Sequence, residues 1–434
     1  MNLDAFAHVL RGLLGIAVLI GLAALCSSNR RAIPWRLVAA GMLLQLVFAF
    51  AVLKVPYCVA AMNAVATFFV RILDFSLVGA AFLFGPLVTD AKTFPSIFAF
   101  KVLPTIVFFA AFTSALYYLG ILQRVVYAIA WVMSKTMRLS GAESLSAAAN
   151  IFVGQTEAPL LIRPYLEKMT RSEILCAMIG GMATIAGGVM AGFIGMLGGN
   201  TEAGRQLFAL HLLTASILSA PAAVLTAKIL LPQTESIETE LLIPREKIGV
   251  NFLDALANGA TDGLKLALNV AAMLIAFIAL IALVNWCLAR GLGGWTGLNE
   301  WAAAFSGGRY HEFNLQFLFG LAFAPLAWVM GVANQDLLIA GQLLGEKTVI
   351  NEYVAYGSLA QLMDAGVITD TRSIIILTYA LCGFSNLSSI GIQIGGIGAL
   401  APNQRPVLAA LGVKALIGGS IACFLTACVA AMLT

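Results

Sequence analysis

The stretch Asn150-Ile151-Phe152-Val153-Gly154-Gln155-Thr156-Glu157-Ala158-Pro159 sets three consecutive polar side chains in an apolar neighbourhood and halts them at a proline. A helix does not run through Pro159 undisturbed, because the ring removes a backbone donor and clashes with the preceding turn. Freed backbone at membrane depth is tolerated only where it lines a cavity or is buried in protein. One reading of the stretch is a solvated loop tip. The other is a hairpin tip that carries an amide and a carboxylate to a binding site, and the surrounding chain favours it.

Of 434 residues, 61% are hydrophobic and 11% are charged, with a mean hydropathy of +0.95. A soluble domain carries about a quarter charged residues, so the solvent of this chain is a bilayer. The net charge of +4 is not gathered into a basic stripe, which argues against a nucleic-acid partner. Seven cysteines (Cys26, Cys58, Cys176, Cys287, Cys382, Cys423, Cys428) lack CxxC or CxxH spacing and read as small buried hydrophobes. No lysine or arginine precedes Arg11 and no AxA-like site ends the first apolar run, so that run reads as a retained helix and not a signal peptide.

A spanning helix needs about 20 mostly apolar residues. Long charge-free runs lie at 12–27, 37–53, 102–122, 174–199, 207–227, 266–289, 373–400 and 415–434, which makes eight candidate spans. Interrupted apolar stretches at 56–86, 122–140, 141–170, 313–335 and 336–366 suit interfacial or re-entrant segments. The one frankly hydrophilic loop is 232–250. An external amino terminus puts 15 of the 25 lysines and arginines on the cytoplasmic side, most clearly Arg30, Arg31 and Arg36 in the first loop.

The segment AWVM occurs at Ala130–Met133 and again at Ala327–Met330. Each copy follows a long span and precedes an interrupted stretch holding a glutamate, Glu157 or Glu352. Each then leads to a glycine-broken apolar helix and one further span. The two lead spans differ by an odd number of crossings, so the halves run in opposite directions. Inverted repeats with broken helices and a midplane site are characteristic of secondary transporters. The pattern divides the chain into scaffold helices at 1–121, a first repeat at 122–231, a loop and long scaffold helix at 232–312, and a second repeat at 313–434.

In the second repeat, Asn351-Glu352-Tyr353-Val354-Ala355-Tyr356 holds an acid that is expensive in lipid and so expected to face a cavity. The bland alternative pairs Glu352 with Lys347 or Arg372. The broken helix at 174–199 has eight glycines, and the run Cys382-Gly383-Phe384-Ser385-Asn386-Leu387-Ser388-Ser389 offers a stacking face, an amide and a hydroxyl. Glycines in membranes also serve plain close packing. His211, lone in an apolar helix, reads as structural. No GxxxxGK[ST], HExxH or GxSxG occurs, so no ATP engine, zinc protease or hydrolase is built in. A channel would need a continuous polar pore, and a membrane-embedded enzyme would use Glu157 and Glu352 as acid and base.

Gly154-Gln155-Thr156-Glu157-Ala158-Pro159-Leu160, then Asn351 to Tyr356, then Leu381 to Asn386 with Ser388-Ser389, resemble the three signature regions of the concentrative nucleoside transporters. The resemblance runs from about residue 90 to the end. It implies an all-α polytopic membrane protein of eight transmembrane helices plus two re-entrant helical hairpins and interfacial helices. It further implies a homotrimer in the lipid of a bacterial inner membrane, whose transport part moves like an elevator to import nucleosides such as uridine or adenosine. By motif match, Gln155, Thr156, Glu157 and Val189 would surround the nucleobase. Glu352, Asn386 and Ser389 would hold the ribose, with Phe384 packing nearby. Asn150, Val153, Thr184 and Ile185 match the family's sodium positions; proton coupling is the alternative, and no cofactor is implied. In a plainer reading, Asn150 caps a hairpin helix and Thr184 bonds back to its own helix. Tyr353 stands where the family pattern has phenylalanine, and Thr184 where serine is common. Gly154 is expected to leave room for a purine beside the base site.

Overall fold

The computed structural model describes residues 3–90, 97–199, 201–241 and 249–434, and among them no strand occurs. Helix α1 spans Leu3–Leu25, α2 Trp35–Lys54 and α3 Pro56–Phe84. After the lead helix α4 (Phe98–Tyr118), the first repeat follows as α5 (Ile121–Met137), a hairpin opening with α6 (Gly141–Ala149), the broken pair α7 (Arg171–Ala183) and α8 (Gly187–Leu197), and α9 (Glu202–Leu230). After α10 (Phe252–Trp286) and the short α11 (Leu298–Phe305), the second repeat takes the same order. It comprises α12 (Leu315–Met330), a hairpin of α13 (Leu337–Gly345) and α14 (Glu352–Asp364), the broken pair α15 (Thr371–Leu381) and α16 (Leu387–Leu400), and α17 (Arg405–Leu433).

The inversion is visible where the lead helices α4 and α10 meet. Gly259 abuts Ser114 and Ala110, and Gly263, one turn later, abuts Ala110 and Val107, so the two run antiparallel at backbone contact. A methyl at Gly259 would stand 2.5 Å from Ser114 Cβ, which explains the small residue there. Eight helices among the described residues are, by length and composition, long and apolar enough to cross a membrane. The 373–400 run breaks into α15 and α16, each shorter than a span. Residues 56–84 form one unbroken helix. Its Asp74 pairs at 2.6 Å with Arg205 from the start of α9.

Burial separates the centre from the periphery. The apolar windows of Arg171–Leu197 and Pro402–Leu433 are each 83% buried and that of α9 78%, whereas the Phe252–Thr296 window is 6% buried. The broken helices and their following spans therefore form the core, and α10 faces lipid or a partner. Two capping boxes set the hairpin ends: Ser140 with Glu143 opens α6, and Thr170 with Glu173 opens α7. The second carboxylate oxygen of Glu143 forms a buried ion pair with Lys228, whose ammonium also donates to Ser172 Oγ at 3.0 Å. This ties the start of the first hairpin to the end of α9. Of the seven cysteines, all free, four are buried as expected, while Cys26 and Cys287 are exposed. His211 is buried with Nδ1 3.2 Å from Tyr379 Oη, in keeping with its structural reading.

The basic first loop and the end of α9 share one face, since Ser28 N donates to Leu230 O at 2.9 Å and Lys414 bonds Ser28 Oγ. Part of the hydrophilic loop, residues 242–248, lies outside the described residues; upstream of it, Glu238 and Glu240 carbonyls accept bonds from Gly141 N and Tyr165 Oη. Single cysteines at 30–31 and 238–240 are expected to label from the cytoplasm, and those at 201–203 and 294–300 from outside, in a cysteine-free background. Labelling of 30–31 and 201–203 from one face would refute this topology.

Candidate functional site

Both helix breaks arise where local sequence denies the backbone a continuous ladder. In the first, Thr184 leaves the helix at φ −121°, and Gly187-Gly188 restarts it. In the second, Gly383 adopts φ 156°, and the Asn386 side chain caps α16 by accepting from Ser389 N at 2.8 Å. The breaks meet: Phe384 N donates to Thr184 O at 3.3 Å. The first hairpin tip joins them, because Gly187 N donates to Phe152 O at 3.1 Å.

One continuous hydrogen-bond network crosses this junction. Gln155 Nε2 donates to Ser389 Oγ at 3.0 Å, Ser389 N reaches Asn386 Oδ1, and Asn386 Nδ2 donates to Glu352 Oε2 at 2.9 Å. Four of the motif residues thus come from a hairpin tip in each half and one broken helix, and all four are buried. Glu352 opens α14 directly after Asn351, whose side chain caps that helix by accepting from Val354 N at 3.0 Å. The carboxylate keeps free lone pairs beyond the Asn386 bond, since an ionised carboxylate has about four acceptor sites. Neither expected rival partner reaches it. Arg372 donates to Gly331 O and Ala431 O, and Lys347 donates to Ala380 O.

Gln393 also belongs here, and the motifs did not reveal it. Its Nε2 donates to Gln155 Oε1 at 3.1 Å and to Met178 O at 2.9 Å. It stands one turn after Ser389 on the same helix face, the only local signal that could have flagged it. Gly181 makes room for the pair: a methyl there would lie 2.8 Å from Gln155 Cβ and 2.9 Å from Gln393 Nε2. Thr156 packs against Gly396, while Val189 and Phe384 place apolar surface at the two breaks. Glu157 is exposed and turns back on its own tip. A methyl at Gly154 would stand 2.3 Å from Glu157 Oε2. Tyr353 turns away from the network, its ring 4.8 Å from Phe193 and 6.1 Å from Phe98 of α4.

Asn150, Val153, Thr184 and Ile185 are all buried beside the first break. Asn150 Nδ2 donates to Ser146 O at 2.9 Å and Thr184 Oγ1 donates to Gly180 O at 2.9 Å, the local bonds of the plainer reading, although Asn150 ends α6 and does not begin a helix. Asn150 Oδ1 is nonetheless buried with no hydrogen-bond partner. Both side chains adjoin Gly180, whose missing methyl would lie 3.1 Å from Asn150 Nδ2. A buried oxygen left without a partner is open to a water or an ion. A cavity of about 700 Å³ separates α3 and α4 from α8 and α14, lined by Asp74, Lys101, Arg205 and Asp364 among others.

A polytopic chain with inverted repeats, paired hairpin tips and a buried polar network at two helix breaks is a membrane transporter. Sequence profiles give the family. Those of the Na+ dependent nucleoside transporter C-terminus and N-terminus match residues 211–431 and 14–87, and a nucleoside-recognition gate profile matches 99–200. The chain belongs to the nucleoside transporter family that it resembled by motif. It is 44% identical over 430 residues to an uncharacterized transporter of Haemophilus influenzae, covering 98% of this chain and 97% of that one. It is 38% identical to the nucleoside permease NupC of Helicobacter pylori, covering 96% of each. Human solute carrier family 28 member 3 is 36% identical across 97% of this chain and 59% of its own length. The solved structure of CNTnw in an inward-facing substrate-bound state superposes with a TM-score of 0.88 at 39% identity, covering 98% of each chain. These relatives are transporters, so the acid–base enzyme reading of Glu157 and Glu352 falls away.

Proposed function

We propose that this protein is a secondary active symporter that imports nucleosides across a bacterial inner membrane, driven by a sodium gradient. The observation that carries the reading is the network from Gln155 through Ser389 and Asn386 to Glu352, which joins both halves at the helix breaks. Glu352, Asn386 and Ser389 would receive the ribose; a carboxylate accepting from sugar hydroxyls makes bonds roughly twice as strong as neutral ones. Gln155, Thr156, Glu157 and Val189 would surround the base, with Phe384 packing beside it. The names of the relatives support nucleosides as the substrate class. Sodium at Asn150, Val153, Thr184 and Ile185 is supported by the orphaned Asn150 oxygen and by the names of the family profiles.

Transport would proceed by an elevator motion of hairpins and broken helices against the scaffold of α1–α4 and α10. The cavity between α3, α4 and α8, α14 supports a division there. A homotrimer would cover part of the exposed α10. Uptake of radiolabelled uridine and adenosine into proteoliposomes tests the whole reading: saturable accumulation of either above its external concentration is expected, and no accumulation of any nucleoside would refute it.

A further inference from the structure

The two half-helices that end at the centre, α7 and α15, bring their carbonyl ends together. Cys423 on α17 donates its thiol to Cys382 O at 3.1 Å and to Ala183 O at 3.6 Å, one carbonyl from each end. A helix C-terminus carries a partial charge of about −0.5, so two of them meeting away from water create a shared demand for positive charge. Broken-helix transporters meet that demand by coordinating cations at such ends. In the first half the end of α7 is lined by uncharged oxygens, Asn150 Oδ1 among them without a partner.

The second half answers with a side chain. Lys347 lies in the wide turn Glu346–Ile350 at the second hairpin tip and is 0% exposed. Its ammonium donates to Ala380 O, in the last turn of α15, at 2.8 Å and stands 5.7 Å from the centre of the Phe424 ring. It enters no ion pair among the described residues. The carboxylates on either side of it in sequence are engaged elsewhere, Glu346 with Gln342 and Glu352 with Asn386. A buried ammonium costs several kcal/mol; beyond the charge of Glu352, which acts on it without direct contact, what offsets it here is a helix end and an aromatic face. Asn150 and Lys347 are also matched in register: the AWVM copies begin at 130 and 327, and the same step of 197 carries 150 to 347.

The geometry points to Lys347 as a tethered cation that permanently fills, in the second half, the position a sodium ion visits in the first. The inference rests on the sodium reading of the first half. Its consequence is asymmetric: the second hairpin stays latched to α15 whatever the salt, whereas closure of the first hairpin waits for the ion, and a single sodium accompanies each nucleoside.

The experiment replaces Lys347 with Asn, the residue at 150, and separately with Met. Thermal unfolding of purified protein is followed as sodium replaces choline, alongside uridine uptake. Wild type is expected to show sodium stabilisation and uptake with a Hill coefficient of about one, since the coefficient is bounded by the number of sites. Lys347→Asn should melt lower in choline, recover with sodium, and raise the coefficient towards two. Lys347→Met, lacking both charge and oxygen, should melt lower in both salts. Wild-type melting and sodium dependence in both variants would overturn the inference alone. A wild type indifferent to sodium in both readouts would remove the coupling reading and this inference with it. Should Lys347→Asn not fold, charge moved per uridine in wild-type proteoliposomes decides: one supports the tethered cation and two overturns it.

Discussion

Replacing Glu352 with Gln is expected to weaken nucleoside binding by about one to two decades while the protein still folds. The carboxylate is 3% exposed and bonded on one oxygen to Asn386 Nδ2. Glutamine keeps an oxygen for that bond, so the link between the second hairpin and α16 survives. It replaces the other acceptor with a donor, which cannot accept from a sugar hydroxyl. A hydrogen bond to a charged group contributes about 1.5–3 kcal/mol, and each 1.4 kcal/mol or so is tenfold in affinity. Calorimetry of uridine binding checks the size of the loss; near-normal affinity would remove the ribose assignment. A 2′-deoxy or 3′-deoxy ligand should lose affinity on the wild type by the same route, because a site built around hydroxyls leaves its buried acceptor unpaired when one is missing. Indifference to both would argue against the carboxylate's role as directly as a silent mutant.

The parts of this site that could be read along the chain are those carried by neighbours in sequence. Glu352 after Asn351, and Asn386 before Ser389, are helix-capping patterns, so the same residues that mark the motif also set the local geometry. The order of elements around the AWVM copies likewise made the inversion legible before any contact was known. What escaped depends on distant pairings. Gln393 joins the network through Gln155, 238 positions away, and nothing in the glycine-rich run around it marks it as more than a polar interruption. A single chain states its periodicities plainly, whereas compensation between remote polar groups is settled only on folding.

Exchange of sodium for choline at fixed pH is expected to abolish concentrative nucleoside uptake, and Asn150→Ala to raise the sodium concentration for half-maximal uptake by about fivefold or more. The bonds that Asn150 and Thr184 make within their own helices do not compete with an ion. Asn150 uses an N–H on Ser146 O, and Thr184 uses its O–H on Gly180 O, so both spend donors and keep oxygen lone pairs. Those donor bonds hold the oxygens in place beside the first break. The tip itself is fastened there by Gly187 N on Phe152 O and by Ser216 Oγ on Ile151 O at 2.9 Å. An ion bound at this junction bridges the first hairpin to α7 and α8, and through Thr184 O it adjoins the second break at Phe384. Sodium there would order the elements on which Gln155 is presented, so that binding of ion and nucleoside would be reciprocally coupled. Removing the Asn150 amide deletes an oxygen and also frees its neighbours; an unmade bond of this kind costs about 1–3 kcal/mol, from a few-fold to more than a hundredfold in sodium affinity by the same conversion. The rival is a proton carried by Glu157 or Glu352. Uptake that persists undiminished in choline and follows an imposed pH gradient would transfer the coupling to those carboxylates and leave the first break without an ion.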